Sequence, residues 1–341
     1  MSEYVGLDVS QKETSICVVD GDGRIIAEGK VATEPATIAA FVAKRAPTAI
    51  RVGLESGGLS EWLHDGLQAC GVPAICLDAR QAHAKLSGNK LNKTDRNDAR
   101  GLAQLVRTGW YQEVCIKSAS SRRVRGLLAS RGLLIATRMN LENQIRGLLK
   151  GAGLLLGKPG RQGFARRAAA LSADVPHLTA LIGPLLAVRE TLIRQLAILD
   201  KALRAEARRD AVVRRCMTMP GVGAVTALAF RAVIDEPTRF AGSRTVGAYL
   251  GLTPRRYSSG EIDYSGRISK CGDRWLRSYL FEAATVLLSR VSRWCALKAW
   301  AVRLAKRIGL KKAKVALARK MAVILHRMWI DGTDFRWTAA N

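Results

Sequence analysis

Tyr4-Val5-Gly6-Leu7-Asp8-Val9 is a short apolar run with an acid near its end, and residues 14–19 form a second run, β-branched and alternating. Gly21-Asp22-Gly23 has the composition of a hairpin turn, and residues 24–31 return as a third strand. Further along, the pattern predicts a helix over 36–44, a strand over 49–55 broken by Gly57-Gly58, a helix over 61–70 and a short strand over 74–77. Pro73 is tolerated at the start of that last strand. Helices are expected over 78–86 and 94–108. Strand, hairpin strands, then alternating helix and strand describe a mixed α/β layer, with ligands expected at strand ends.

The chain of 341 residues is long for one domain, and its apolar content is ordinary for a globular protein. No apolar run reaches the roughly 18–20 residues of a membrane span, and no charged-then-apolar signal segment opens the sequence. The seven cysteines are scattered without a C-x-x-C pair, which predicts reduced thiols in a cytoplasmic protein rather than a disulfide scaffold or a zinc module. Charge is the informative total. Of 55 basic and 28 acidic residues, 13 and 14 fall in 1–115, leaving 42 and 14 for 116–341. A near-neutral first third followed by a strongly cationic remainder suggests an active unit joined to a polyanion-binding body, with nucleic acid the first candidate.

The stretch Lys93-Thr94-Asp95-Arg96-Asn97-Asp98-Ala99-Arg100 opens a helical pattern whose apolar face is Leu102, Ala103, Leu105 and Val106. Asp95 and Asp98, three apart, share a helix face with Cβ atoms roughly 5–6 Å apart. A helix cap explains one of these acids. A divalent cation explains both, because hard Mg²⁺ prefers carboxylate oxygen. Asp8 and Glu55 each close an apolar strand and precede small or polar residues, so both can project toward one crevice. A single strand-end acid is usually a turn former, but four acids on three elements are more specific than any pair.

From 118 to about 150, Val124, Leu128, Leu134, Leu141, Ile145 and Leu149 recur at helical spacing. Residues 151–163 read as a Gly-rich tip, and Leu181, Leu185, Val188, Leu192, Leu196, Leu199 and Leu203 then step by three or four. This predicts an antiparallel coiled-coil arm or a buried helical bundle, with Arg122, Arg123, Arg125, Arg131, Arg166, Arg167, Arg208 and Arg209 on a basic outer face. Pro220-Gly221-Val222-Gly223 is either a plain interhelical turn or a hairpin whose glycines bring backbone N–H groups to a DNA phosphate. The basic clusters Arg255-Arg256 and Lys270, Arg274, Arg277 flank a Ser258-Ser259-Gly260 turn that by spacing alone reads as a phosphate-contacting loop. Lys311 and Lys312 lie in a dense basic run suited to a phosphate backbone. Trp294, Trp300 and Trp329 are expected in the core, and the four histidines lack ligand spacing.

GLDVS, a hairpin, GLESGG and KTDRNDARGLA, in that order over about the first 110 residues, resemble the N-terminal RuvC-like (ribonuclease H-like) domain of the DEDD insertion-sequence transposases of the IS110 family, including its IS1111 group. GLTP, SSG, GRISK and the downstream Leu276-Arg277 resemble the C-terminal transposase domain of the same family. The resemblance implies a multidomain chain: a RuvC-like domain over 1–116, a coiled-coil arm over 117–212 and a mainly helical transposase domain over 213–341. It implies that Asp8, Glu55, Asp95 and Asp98 hold Mg²⁺, with Mn²⁺ a possible substitute, at the scissile phosphate. It further implies that Ser259, with Ser258 as the alternative, attacks DNA and becomes linked to a phosphate. Partners implied are double-stranded donor and target DNA, a structured bridge non-coding RNA and further copies of the chain in a dimer or tetramer. Glu261 stands where the family commonly has glycine, and Cys271 where it usually has a basic residue.

Three rivals follow from the same residues. A junction-resolving nuclease would use the four acids to activate water, leaving Ser259 a phosphate ligand. An ATP-binding protein of the actin and sugar-kinase type would want glycine-rich phosphate loops, whereas Val9-Ser10-Gln11-Lys12 follows Asp8 here. A non-enzymatic RNA-binding module would leave the four acids idle.

Overall fold

The computed structural model describes residues 2–87, 94–160 and 163–337. The chain divides into two compact units, Met1–Lys117 and Ser118–Asn341.

In the first unit, β1 (Glu3–Val9), β2 (Glu13–Val19), β3 (Ile25–Ala32), β4 (Ala49–Glu55) and β5 (Ala74–Leu77) form one sheet in the order β3-β2-β1-β4-β5. The first three strands are antiparallel neighbours, while β4 lies parallel to β1 and β5 parallel to β4. Helices α1 (Pro35–Arg45), α2 (Ser60–Ala69), α3 (Ala79–Ser87) and α4 (Asp95–Thr108) complete it. Because side chains alternate across a strand, the sheet sorts its residues cleanly. Val5, Leu7, Ile16, Val18, Val52 and Leu54 join Ile38, Val42, Leu63 and Leu67 of α1 and α2 in one core. The opposite face takes α4, and the approach is close: a Cβ on Gly6 would stand 2.3 Å from Ala103 N and Ala99 O. One on Gly53, the β1–β4 register partner of Gly6, would stand 2.3 Å from Val106 Cγ2. Glycine at these two positions is what lets a helix lie on the centre of the sheet.

The second unit opens with α5 (Ala119–Gly151), followed by α6 (Gly163–Ser172) and α7 (Pro176–Arg209). At a rise of about 1.5 Å per residue each long helix runs roughly 50 Å. They pair antiparallel, since positions rising on α5 meet positions falling on α7: Arg123 with Glu206 at 2.9 Å, Arg131 with Asp200 at 2.6 Å, and Glu142 with Arg189 at 2.8 Å. Arg123 and Arg131 therefore bridge the two helices rather than serve only an outer basic face. At the far end Ile145, Leu149, Leu156, Phe164, Ala168, Leu178 and Ile182 form a small core of their own, to which α6, absent from the sequence reading, contributes.

The near end merges with the rest of the unit. Val124, Leu128, Leu203 and Ala207 belong to the main core, together with α8 (Ala211–Met217), α9 (Ala224–Ile234), α10 (Thr245–Tyr249), α11 (Arg274–Ser289), α12 (Ala296–Ile308) and α13 (Leu310–Ile330). The junction is pinned by Asp235, whose carboxylate accepts from Ser118 N and Oγ at 2.7 Å each and from Ser121 Oγ at 2.5 Å. Trp300 and Trp329 pack on this core as expected. Trp294 departs from expectation: it is 57% exposed, with Lys298 Nζ 4.8 Å from its ring centre. A two-stranded ribbon, β6 (Pro254–Ser259) and β7 (Ile262–Ile268), interrupts the helices.

Candidate active site

The first turn of α4 is fixed by Thr94, whose hydroxyl accepts from Asn97 N at 3.2 Å, while the Asp98 N–H bonds to Thr94 O at 3.0 Å. Thr94, not Asp95, is the cap. Lys93 and the residues just before it, 88–92, lie outside the described residues.

Leu7 and Leu54 are register partners that face α1 and α2, so Asp8 and Glu55, one step on, project side by side from the face that carries α4. On the same face and at the same end stand Ser15, opposite Asp8, and Lys30, opposite Ser15. The Lys30 ammonium is held up from its ordinary value by Glu13, 2.9 Å away, with a smaller contribution from Asp95. The α4 first turn is thus on the rim that bears Asp8 and Glu55. Asp8, Glu55 and Asp98 are half-buried and Asp95 is exposed. Among the described residues no three acid, histidine or cysteine side chains are gathered closely enough to hold a metal ion. The donor set is nevertheless all carboxylate oxygen, the chemistry a hard divalent cation takes.

Two of the arginines in the same stretch are committed elsewhere. Arg100 Nε donates to Glu28 Oε1 at 2.6 Å, and Arg96 donates to Glu28 Oε2 through Nε at 3.0 Å. Hydrogen bonds from Arg100 first and Arg96 second hold the Glu28 carboxyl down at about 2. Glu28, on the middle of β3, is therefore the residue that docks the start of α4, and the sequence reading did not single it out. Asp78, another strand-end acid, is spent capping α3 through Arg80 N and Gln81 N at 2.9 and 3.0 Å. Three buried thiols are held protonated at neutral pH: burial pushes Cys17 and Cys76 up to about 11 and Cys216 up to about 12.

In the second unit Ser258 and Ser259 end β6, and Ser259 pairs with Ile262 across the turn residues Gly260 and Glu261. Gly260 takes φ +57°, the conformation a two-residue hairpin asks of its first loop position, and Glu261 keeps a negative φ. Glutamate at 261 therefore needs no glycine-like backbone. The ribbon is braced by Tyr257 against Tyr264, ring centres 5.5 Å apart, and by Arg256 donating to Asp263 through Nε at 2.9 Å and a second nitrogen at 2.6 Å. Every residue of β6 is exposed.

At the foot of the ribbon the 249–252 and 270–272 backbones cross. A Cβ on Gly251 would stand 2.2 Å from Cys271 O, and one on Gly272 would stand 2.2 Å from Tyr249 O. Arg277 closes the crossing by donating to Cys271 O at 2.6 Å, Gly272 O at 3.1 Å and Leu250 O at 3.2 Å. Arg277, expected from sequence on nucleic acid, thus also has an architectural part. Gly221, expected at a phosphate, also packs closely: its φ is +87° and a Cβ would stand 2.4 Å from Ala283 O on α11. Gly223 remains exposed before α9, Arg255 donates to Ser269 O at 3.2 Å, and Arg274 opens α11. Lys311 and Lys312 are exposed in the first turn of α13.

A mixed α/β unit with acids at its strand ends, followed in sequence by a strongly basic helical unit, fits a protein that acts on a polyanion. Residues 5–153 match the DEDD transposase family model and residues 213–300 match the "Transposase IS116/IS110/IS902 family" model. The "Transposase for insertion sequence element IS1111A" of Coxiella burnetii is 31% identical over 332 residues, covering 95% of this chain and 88% of that one. The "Probable family 20 transposase" of Pseudomonas aeruginosa is 31% identical over 257 residues, covering 72% of this chain and 75% of its own. The chain belongs to the IS116/IS110/IS902 family of insertion-sequence transposases and is a DNA transposase. Among the described residues no helix is long and apolar enough to cross a membrane.

Proposed function

We propose that this transposase cuts and rejoins DNA through a covalent phosphoserine link, with Mg²⁺ held by Asp8, Glu55, Asp95 and Asp98 and Ser259 as the nucleophile. What supports the reading is that α4 packs on the sheet face from which Asp8 and Glu55 project, with Asp95 and Asp98 in its first turn. The strand order β3-β2-β1-β4-β5, with helices on both faces, supports a RuvC-like domain. Members of the DEDD transposase family depend on a divalent metal. Bound at the rim, such an ion supplies charge stabilisation at a scissile phosphate.

Ser259 Oγ attacks phosphorus; the Oγ–P bond forms as one backbone P–O bond breaks, the serine loses its proton and the leaving deoxyribose oxygen gains one. The bond energy kept in the phosphoserine permits religation without ATP. Ser259 is preferred over Ser258 because it directly precedes the left-handed Gly260 at the ribbon's tip. The excess of 42 basic over 14 acidic residues in 116–341 suits a body that holds DNA and a structured bridge RNA together, base pairing supplying the sequence choice. Leu133, Met139, Leu181, Val188 and Ile198 are exposed along α5 and α7, apolar surface that a coiled-coil-like pairing of arms in a dimer or tetramer covers.

Denaturing gels of end-labelled DNA incubated with Mg²⁺ test the reading. A protein–DNA adduct is expected for wild type and for Ser258→Ala but not for Ser259→Ala. Cleavage by Ser259→Ala at the wild-type rate would replace it with hydrolysis by the acids alone.

A further inference from the structure

The second unit carries a cavity of about 990 Å³ between β7 and α13. Arg244, Arg267, Lys270, Lys312, Arg319 and Lys320 line it, and no acidic residue does. Among the described residues none of these six cations is in an ion pair, whereas Arg123, Arg131, Arg189, Arg256 and Arg327 of the same unit each have a carboxylate partner. The floor is apolar, built from Leu252, Ile268, Trp300, Val315 and Val323. Lys320 stands partly buried with its ammonium 4.1 Å from the centre of the Trp300 ring, and burial pushes its pKa down. Lys270 is held at φ +58°, a conformation that a non-glycine residue rarely adopts, by its N–H bonding to Gly251 O at 3.1 Å. Of the six, only Lys270 and Lys312 stand out in the sequence. The missed signal is the spacing 312, 316, 319, 320 and 323 along one face of α13.

We propose that this groove holds a single, unpaired DNA strand, with its phosphates on the basic rim and a base on the apolar floor. Charge complementarity selects a polyanion, since six cations without counter-charge stay solvated only until phosphates replace water. The floor then selects among polyanions. A duplex keeps its bases stacked inside and offers only its backbone, so the apolar surface goes unused, while an unpaired nucleotide presents a flat face to it. An acidic peptide brings no comparable flat apolar face.

DNA is favoured over RNA by continuity with the ribbon. Ser265 on the groove's lip pairs with Arg256, and Ile262, three residues back along β7, pairs with Ser259. Three strand residues span roughly 10 Å, so a strand in the groove continues toward the ribbon's tip. This part rests on Ser259 being the residue that takes DNA.

The test uses the full-length protein and three labelled probes of one sequence: single-stranded DNA, the same strand in duplex, and the same strand as RNA. Fluorescence anisotropy is measured for wild type, Lys320→Met, Arg267→Gln and Ser259→Ala. Each groove substitution is expected to weaken the single DNA strand roughly tenfold and the duplex under about threefold, and to lower the salt slope for the strand by about 0.7. Ser259→Ala is expected to lose the covalent adduct in Mg²⁺ whether or not the groove is intact, which separates failure of the nucleophile from failure of the groove. Wild-type protein is also photocrosslinked to an iodouracil-substituted strand, and the adduct is expected on peptides within 265–270 or 300–323; this readout needs no variant to fold. Equal loss for duplex and single strand, tighter RNA than DNA binding in the groove variants' absence, or crosslinks elsewhere would overturn the proposal.

Discussion

Asp98 sits in the first turn of a helix whose backbone is pressed onto Gly6 of the central strand, whereas Ser259 ends a ribbon strand exposed along its whole length. The two groups assigned to one reaction are thus held in different ways. The rim is positioned by the fold: Thr94 caps α4, Glu28 docks Arg96 and Arg100, and two glycines set the helix on the sheet. The serine is positioned by a hairpin turn, one cross-strand tyrosine pair and one arginine–aspartate pair, all in solvent. Surface pairs of this kind contribute little. The difference teaches that the elements bearing the acids are set by the fold, whereas the ribbon bearing the serine is held by few contacts of its own.

The largest effect expected is on the adduct: Ser259→Ala abolishes covalent capture of DNA while the melting temperature stays unchanged, because β6 buries nothing. Next, Asp8→Asn or Asp98→Asn is expected to slow Mg²⁺-dependent cleavage by roughly 10³-fold, a typical loss when a charge-stabilising group is removed. Chelation by EDTA should match that loss, and single-turnover gels measure both. If either asparagine variant cleaves at the wild-type rate, the rim is not the metal site.

Smaller and sharper is a pair of glycine substitutions. Gly6→Val forces side-chain atoms into the α4 backbone and should cost about 3 kcal/mol by denaturant unfolding. Gly260→Val opposes a left-handed turn and should cost about 1 kcal/mol or less globally, yet slow adduct formation several-fold. Equal effects of the two on stability would erase the contrast. The subtlest expectation concerns pH. Glu28 has its folded pKa depressed to about 2, so its contribution is fully present above its ordinary value near 4.5 and is lost as pH falls from there toward 2. Acid titration followed by circular dichroism should show Glu28→Gln losing this portion of the acid transition while keeping the rest.

Much of the first unit was legible in the sequence because its strands alternate and its breaks are glycines. The strands starting at Tyr4, Thr14, Ala49 and Ala74, and the helix ending at Thr108, lie within a residue or so of where the pattern puts them. The ribbon was not legible as strands, since Arg255, Arg256, Tyr257 and Ser258 have no buried face and so carry no apolar period. Charge also reads alike whatever it contacts: Arg277 on three carbonyls and Lys312 on an open groove look the same in one dimension. Gly221 shows the same limit, for nothing local reveals that α11 lies over it. Among the acids, chain order and spacing placed Asp8, Glu55, Asp95 and Asp98 on three elements, but Glu28's part in docking α4 depends on a contact 68 residues away.

The pairing of 123 with 206, 131 with 200 and 142 with 189 makes the arm a calibrated rod. Three residues inserted into α5 alone between 131 and 142 would rotate Glu142 away from Arg189, a guanidinium only 2% exposed. Breaking a buried pair in that way costs about 3–5 kcal/mol. Matched sevens added to both helices keep their seams in phase. Related chains should therefore differ in the reach of this rod by whole paired heptads, so that its span varies in steps.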